Sequence, residues 1–275
     1  MKNLTASPED RFIEVNGQSI HVKQWSSTGP LMVFLHHITG DCGIWNDIAP
    51  AFISEFQVVA VDLRGHGLSS NPTHGYRWVE DLSEDIVELI KFYASKSVTL
   101  VGFSLGAMVA IPVAVKMSDR VSALILEDPP LHDHARNYNS AWWEERRAAI
   151  HLPFDQKVDR LIKRGNSVEE AKLIAEIKDR VSPGVLDEYL AGTAAYHFED
   201  WLPKVSCKTC LFLGNPEKGS SLNHADRKRV TELFSFSHIS EWKNAGHGVH
   251  EVDPVQFIHE MKQFLQAVGN ARPVT

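Results

Sequence analysis

The segment Val98-Thr-Leu-Val-Gly-Phe-Ser-Leu-Gly-Ala-Met-Val-Ala110 has the pattern of a strand, a tight turn and a helix, with a serine between two glycines at the turn. Its first residues, Val98 to Val101, form a short apolar run that predicts a buried strand, and Ala107 to Met117 predicts a buried helix. The turn between them would hold Ser104 in a strained conformation with its hydroxyl exposed above the sheet edge. The glycines two residues before and after this serine have to be small, because a side chain there would collide with the neighbouring backbone. The pattern predicts that Ser104 is a nucleophile; the alternative is a glycine-bordered turn with an idle serine.

The composition is that of an ordinary globular protein and excludes several classes of function. The chain has 275 residues, of which 43% are hydrophobic, enough for one large core or for a core with an inserted subdomain. A formal net charge of -7 argues against nucleic acid or an anionic membrane as a partner. We expect a small-molecule substrate and a monomer or homodimer.

Cysteine usage and the N-terminal residues bear on the compartment. No stretch approaches the about 20 apolar residues that span a bilayer, and Met1 to Asp10 shows no apolar run of a signal peptide. Three cysteines, an odd number, fit a reducing cytosol better than a disulfide framework. We therefore expect a cytoplasmic protein. Cys207 and Cys210 form a C-x-x-C, but no second ligand pair accompanies them, so no metal site is predicted.

Short apolar strands alternate with helical segments along most of the chain. Two edge strands flank the hairpin signal Asn16-Gly17. Further strands are predicted at 31–35, 57–61, 98–101, 121–126, 209–213 and 237–242, and helices at 45–52, 79–93, 107–117, 223–233 and 254–268. The alternation predicts an α/β fold with a mostly parallel eight-stranded sheet and helices on both faces.

The pattern changes between residues 131 and 205, where charge rises and helical periodicity replaces the alternation. Helices are predicted at 140–150, 154–164, 167–181 and 185–196, and Ser167-Val-Glu-Glu170 has the pattern of a helix cap. The interpretation is a core domain of residues 1–130 and 206–275 with a helical cap insertion at 131–205. Such an insertion would cover the carboxyl ends of the strands, where sheets of this kind bind ligands.

A serine nucleophile needs a base within hydrogen-bond reach, and His247 is the best of the 14 histidines. It follows the last predicted strand and lies between two glycines in Gly246-His-Gly248, a frame that lets a loop present an imidazole. The pattern predicts that His247 is the general base. His238, His250 and His259 are predicted to be structural or surface residues.

These motifs together resemble an α/β-hydrolase-fold serine hydrolase. The matching segments are His36-His-Ile-Thr-Gly40, Asp62-Leu-Arg-Gly-His-Gly-Leu-Ser69, Gly102-Phe-Ser-Leu-Gly106 and Gly246-His247, and the resemblance covers all but the details of the helical insertion. It implies an oxyanion hole formed by the backbone N–H groups of Ile38 and Leu105, and no cofactor or metal. The family usually has His-Gly where this chain has His36-His37. His37 is therefore a candidate substrate-binding residue, with a packed or surface histidine as the alternative.

The acid of the triad departs from the usual pattern of the family. Most members carry an Asp after the strand that corresponds to 209–213, but here that loop reads Gly214-Asn-Pro-Glu-Lys-Gly219, with only Glu217 near the expected place. A variant of the family places the acid after the preceding strand, which here ends in Glu127-Asp128. We favour Asp128 over Glu217, and the alternative for Asp128 is a turn residue. The same two loops resemble a subgroup that includes an acetamidomethylene-succinate hydrolase.

The resemblance implies hydrolysis of a small ester, lactone or amide through an acyl-serine intermediate, with Ser104, His247 and Asp128 as the triad. The alternatives are C–C bond hydrolysis or cofactor-free perhydrolysis by the same triad, and a small-molecule receptor with vestigial activity. A serine at the turn disfavours the epoxide hydrolases and haloalkane dehalogenases of this fold, which use an aspartate there. In the cap, the predicted candidates for a substrate carboxylate are Arg136, Arg146, Arg147 and Arg180, with a solvated helix face as the alternative.

Overall fold

The computed structural model describes residues 7–131, 148–149, 151–190 and 197–269. Within these ranges eight strands form one sheet in the order β1-β2-β4-β3-β5-β6-β7-β8. Neighbouring strands from β4 through β8 are parallel, whereas β2 runs antiparallel to β1 and β4. The bounds are β1 (Glu9–Val15), β2 (Gln18–Gln24), β3 (Leu31–Leu35), β4 (Gln57–Val61), β5 (Val98–Phe103), β6 (Val121–Glu127), β7 (Lys208–Gly214) and β8 (His238–Trp242). This architecture confirms the predicted α/β-hydrolase fold with its mostly parallel eight-stranded sheet.

The helices follow the strands closely in the order that the sequence predicts. Those of the core are α1 (Ser83–Tyr93), α2 (Leu105–Lys116), α7 (His224–Leu233), α8 (Val249–Val252) and α9 (Pro254–Ala267). Those within the predicted insertion are α3 (Phe154–Lys163), α4 (Val168–Asp179), α5 (Pro183–Leu190) and α6 (Phe198–Trp201). A π-helical segment, Trp78–Leu82, leads into α1. None of these described helices is both long and apolar enough to cross a bilayer.

Two apolar layers cover the two faces of the sheet. In β3, Leu31, Val33 and Leu35 belong to the layer that includes α1 and α2, whereas Met32 and Phe34 belong to the layer that includes α9. Side chains alternate across a strand, so a strand that is buried on both faces is apolar throughout. This arrangement explains the continuous apolar runs of the sequence.

The helix predicted at 45–52 is wrong in detail. The chain forms two short 3-10 helices there instead, Cys42–Trp45 and Ala49–Phe52. The first begins early because the side chain of Asp41 accepts a hydrogen bond from Gly43 N at 2.8 Å. Pro50 has no N–H and sits at the start of the second, so a continuous α-helical ladder cannot run through it. The apolar side chains of this segment are nevertheless buried together in one layer: Trp45, Ile48, Ala49 and Phe52.

The helical segment after β6 contacts the core at the carboxyl edge of the sheet. Ser182 N donates to Gly65 O at 2.7 Å, and the Glu188 carboxylate accepts from Tyr76 N at 2.9 Å. The predicted cap box at the start of α4 is present, with Ser167 and Glu170 bonding each other's backbone. Most of the helix predicted at 140–150, residues 191–196, and Arg136, Arg146 and Arg147 lie outside the described residues, and Arg180 is exposed. The division into core and cap stays a prediction.

A buried ion pair joins α1 to the loop after β4. The Arg64 guanidinium donates to both carboxylate oxygens of Asp85 at 2.5 Å each, and both side chains are almost fully buried. The loop that this pair fixes also carries His66, which contacts the candidate site.

We predict that Asp85→Asn lowers the free energy of unfolding by roughly 3 kcal/mol, because it leaves the Arg64 charge buried without its counter-ion. Asp81→Asn is the matched control, since Asp81 pairs with the exposed Arg77 and should lose less than about 1 kcal/mol. Urea denaturation at neutral pH measures both. Equal losses in the two variants would contradict the assignment.

Candidate active site

Ser104 lies at the turn between β5 and α2 with φ 52° and ψ -112°, a conformation that non-glycine residues rarely adopt. The serine N–H donates to Glu127 O at 3.0 Å, which ties the turn to the end of β6. A Cβ on Gly102 would lie 2.5 Å from Ala107 N, and one on Gly106 would collide with the Leu35 carbonyl. Both glycines are thus required for the close approach of backbones, as the sequence predicts.

Asp128 lies directly after β6 and is fully buried. Its Oδ2 is 2.6 Å from His247 Nδ1. Asp128 also has a positive φ, 39°, so Ser104 and Asp128 are two of the four non-glycine residues with positive φ in the described part of the chain. Glu217 is exposed in a 3-10 turn, and within the described ranges no hydrogen bond or ion pair joins its carboxylate to His247. The geometry therefore pairs His247 with Asp128.

The loop after β7 surrounds the Asp128 carboxylate with donors. Ser220 Oγ donates to Oδ1 at 2.6 Å, Ser221 N donates to Oδ2 at 2.7 Å, and Gly214 N lies 3.3 Å from Oδ1. Hydrogen bonds of this kind stabilise the charged form of a buried carboxyl group. Sequence reasoning missed Ser220 and Ser221, because a serine in a loop carries no local signal of a partner.

The loop that carries His247 packs against the loop after β7, backbone on backbone. Asn215 N donates to Ala245 O at 2.7 Å, and a Cβ on Gly246 would collide with the Lys218 carbonyl. The imidazole packs on Phe103, with ring centroids 4.8 Å apart, and its side chain is 37% exposed. Because Phe103 immediately precedes Ser104, this contact brings the base to the same sheet edge as the serine.

The backbone N–H groups of Leu105 and Ile38, the predicted oxyanion donors, have no hydrogen-bond acceptor in the described part of the chain. Leu105 N is the first of α2 and has no carbonyl partner within the helix, and Ile38 N donates to no group in the described residues. His66 Nε2 lies 2.9 Å from Ile38 O, and His36 Nδ1 lies 2.7 Å from His37 O. Two buried imidazoles thus fix the peptide groups before and after Ile38, and the first of these carries the Ile38 N–H. Burial, together with His36, lowers the pKa of His66 to about 4, so that its ring is neutral.

His37 precedes Ile38 in the loop after β3. Its ring packs edge-on against Phe103 at 5.1 Å, and its Nδ1 accepts from Thr39 N at 3.3 Å. A backbone N–H can only donate, so the proton of the neutral ring is on Nε2. Burial and the neighbouring histidines His36, His247, His250 and His66 hold the pKa of His37 well below its usual range. The neutral ring of His37 thus carries its one N–H donor on Nε2, which lies close to Gly40.

The site residues that sequence reasoning missed include a second imidazole–carboxylate pair. His250 Nδ1 lies 2.8 Å from both carboxylate oxygens of Glu127, and both residues are buried. The sequence pattern around His250 predicts only a structural or surface residue. The available signal was the adjacency of Glu127 to Asp128 and the spacing of three residues between His247 and His250.

Among the described residues, one cluster has the atoms of a metal site: His21, Cys42 and Asp62, whose ligand atoms lie within 4.8 Å of one another. Its candidate ligand atoms already take part in hydrogen bonds within the protein. Asp62 accepts from Cys42 N at 2.6 Å, Leu68 N at 2.9 Å and His21 Nδ1 at 2.7 Å. Burial and Asp62 raise the pKa of the Cys42 thiol, which keeps it protonated and a weak ligand. We assign the cluster as an anchor of the loop after β4.

Comparison with known proteins gives a family and a set of relatives. Residues 32–260 match the model of the alpha/beta hydrolase family. Over 251 residues, 86% of this chain and 92% of the relative, the chain is 35% identical to the 2-succinyl-6-hydroxy-2,4-cyclohexadiene-1-carboxylate synthase of Enterobacter. It is 36% identical to the 2-(acetamidomethylene)succinate hydrolase of Mesorhizobium japonicum over 118 residues, 43% of this chain and only 42% of that enzyme.

The solved structures give the same fold. The crystal structure of E-2-(acetamidomethylene)succinate hydrolase superposes with a TM-score of 0.81 at 23% identity, over 94% of this chain and 99% of the other. At this level of identity the likeness shows the fold alone.

We predict that Ser220→Ala lowers the free energy of unfolding by roughly 2 kcal/mol, because it removes a hydroxyl donor from a fully buried carboxylate. Ser221→Ala is the matched control. The Ser221 hydroxyl donates to the backbone carbonyl of Asp128, and its N–H bond to the carboxylate survives the change, so the loss should be about 1 kcal/mol. Urea denaturation at neutral pH compares the two, and a larger loss in Ser221→Ala would contradict the role given to Ser220.

Proposed function

This chain belongs to the alpha/beta hydrolase family, and on that premise we propose that it is a serine hydrolase that cleaves a small carboxylic ester, lactone or amide. The observation that carries the proposal is the 2.6 Å bond between Asp128 Oδ2 and His247 Nδ1, at the sheet edge that bears the strained Ser104. The three residues follow the order nucleophile, acid, base along the chain, which is the order of this fold.

In the proposed reaction His247 Nε2 takes the proton of Ser104 Oγ as the oxygen attacks the substrate carbonyl carbon. The N–H groups of Ile38 and Leu105 donate to the oxyanion of the tetrahedral intermediate. His247 then gives its proton to the leaving alcohol or amine as the bond to carbon breaks, which leaves an acyl-serine. Water, deprotonated by His247, attacks the acyl carbon, and the serine oxygen leaves with the proton to regenerate the enzyme.

Asp128 holds the imidazole in the tautomer that this sequence of proton transfers needs. The Nδ1–H of His247 donates to a carboxylate that Ser220, Ser221 and Gly214 already solvate. That carboxylate stabilises the imidazolium formed in each step without taking its proton. The reaction uses no cofactor.

We assign His37 a substrate-binding role. Its Nε2–H is a neutral donor at the oxyanion loop, and the ring contacts the same Phe103 that packs on His247. A donor in this position suits an oxygen of the acyl portion of the substrate. A neutral imidazole can orient this substrate oxygen with a hydrogen bond and places no positive charge beside it.

The names of two relatives bear on the substrate. The Mesorhizobium enzyme is named for a succinate and the Enterobacter enzyme for a cyclohexadiene carboxylate, so a small substrate with a carboxylate is our first choice of class. The partner we propose is this small molecule, in the cytoplasm. The second name is that of a synthase and not of a hydrolase, so we keep a second candidate function in which the same triad acts on a bond other than an ester or amide, such as a C–C bond.

We predict that the protein hydrolyses p-nitrophenyl esters of increasing acyl length with many turnovers, and that Ser104→Ala loses roughly 10⁴-fold in kcat or more. Mass spectrometry of the quenched reaction should place the acyl group on Ser104. Full activity in Ser104→Ala would overturn the mechanism. A single burst followed by a stall would indicate a receptor, and an inert wild type would favour the C–C substrate class.

We predict that Asp128→Asn lowers kcat by roughly 10⁴-fold, because an amide cannot hold the Nδ1–H tautomer of His247 or stabilise its cation. Glu217→Gln is the control, and its exposed position should leave kcat within about threefold of wild type. Steady-state kinetics on the preferred ester decides between the two acids. A larger loss in Glu217→Gln would reverse the assignment.

A further inference from the structure

Glu127 and His250 form a buried carboxylate–imidazole pair. Glu127 immediately precedes Asp128, the candidate acid. The Glu127 side chain is fully buried, and the His250 side chain is 5% exposed. Glu127 Oε1 accepts from His250 N at 2.9 Å, and His250 Nδ1 donates to the same carboxylate at 2.8 Å. One carboxylate therefore holds both the backbone and the ring of His250.

The same glutamate also contacts the serine turn. Its carbonyl accepts the N–H of Ser104 at 3.0 Å, and the next residue in the chain is Asp128. His250 stands three residues after His247, in the first turn of α8. Glu127 is thus bonded directly to the serine turn and to the histidine loop, and is covalently joined to the acid.

The surroundings of His250 are aromatic. Its ring stacks on Trp45 at 4.8 Å and packs against Phe103 at 5.3 Å and Phe257 at 5.9 Å. Burial lowers the pKa of His250, but Glu127, with smaller contributions from Glu251 and Asp47, outweighs burial and raises it. An apolar side chain would fill such a cage with no desolvation penalty, so packing alone does not explain a charged pair.

We propose that Glu127 and His250 are a positioning pair that sets the height and direction of His247 above Ser104. The inference rests on the proposed function. Glycines flank His247 on both sides, and the bond of Asn215 N to Ala245 O holds the loop before it. The bonds of Glu127 to His250 hold the loop after it, and Asp128 bonds the imidazole itself. A base displaced by about 1 Å loses roughly 10²-fold in rate, so the second anchor has a catalytic consequence.

Two substitutions of His250 separate positioning from packing. His250→Phe keeps an aromatic ring in the cage and removes the Nδ1–H donor, whereas His250→Asn keeps a side-chain N–H near that place and loses the ring. The readout is the rate at which a fluorophosphonate probe labels Ser104, resolved into its saturation rate and its half-saturating concentration. We expect His250→Asn to keep the saturation rate within roughly threefold and His250→Phe to lose roughly 10- to 100-fold with the half-saturating concentration unchanged. The reverse order would show a packing role and overturn the proposal.

Hydrogen exchange of the peptide that covers residues 244–252 gives a readout independent of chemistry. Exchange there should be at least about tenfold faster in His250→Phe than in wild type, with α1 unchanged as the internal control. Unchanged exchange in the loop would overturn the positioning role. If wild type is not labelled at Ser104, the proposed function fails, and the exchange experiment alone decides whether the pair fixes the loop.

If His250→Phe does not fold, two substitutions of Glu127 test the same interaction. Glu127→Gln retains an oxygen that accepts both bonds from His250, and Glu127→Ala removes it. Retained labelling in the glutamine variant and a loss of roughly tenfold or more in the alanine variant support the pair. Equal labelling rates in the two variants overturn it.

Discussion

Three carboxylates are buried where strands β4 and β6 end: Asp62 is 1% exposed, and Glu127 and Asp128 are fully buried. Each binds an imidazole from another element, His21, His250 and His247 respectively. A buried carboxylate is destabilising by several kcal/mol unless donors surround it. The need for these donors therefore fixes how the loops pack over the strand ends. That packing brings the residues of the candidate site together.

The loop after β7 shows how this constraint redistributes roles. In most of the hydrolases that this chain resembles, the acid belongs to that loop; here its Gly214–Ser221 residues supply two N–H donors and a hydroxyl to Asp128. In the proposed triad the acid instead follows β6, the strand next to the one that leads to Ser104, and the loop after β7 supplies hydrogen-bond donors to its carboxylate. Both placements of the acid suit the same position of the histidine, because the imidazole needs only a carboxylate near Nδ1, whichever strand that carboxylate follows.

The sequence predicts what depends on local pattern. Strands buried on both faces read as apolar runs, and the glycines at the serine turn and beside His247 mark places where backbones touch. The local pattern therefore predicts Ser104 and His247, whereas the preference for Asp128 over Glu217 comes from the resemblance to a variant of the family. The donors to Asp128 and the pair of Glu127 with His250 were not predicted, because they join residues 92 and 123 positions apart. No periodicity or spacing encodes such contacts, which arise only once the loops are folded.

Burial and contacts with carboxylates shift the pKa values of the imidazoles at the site in opposite directions. Burial lowers the pKa values of His36, His37 and His66, and His36 lowers those of His37 and His66 further, whereas Glu127 raises that of His250 despite its burial. These shifts favour neutral rings around the proposed oxyanion loop. A fixed cation there would bind the carboxylate product of an ester or amide as well as it binds the transition state, and so would slow release. Neutral N–H dipoles aimed at one oxygen favour the tetrahedral intermediate instead, because their stabilisation grows with the charge that develops on that atom.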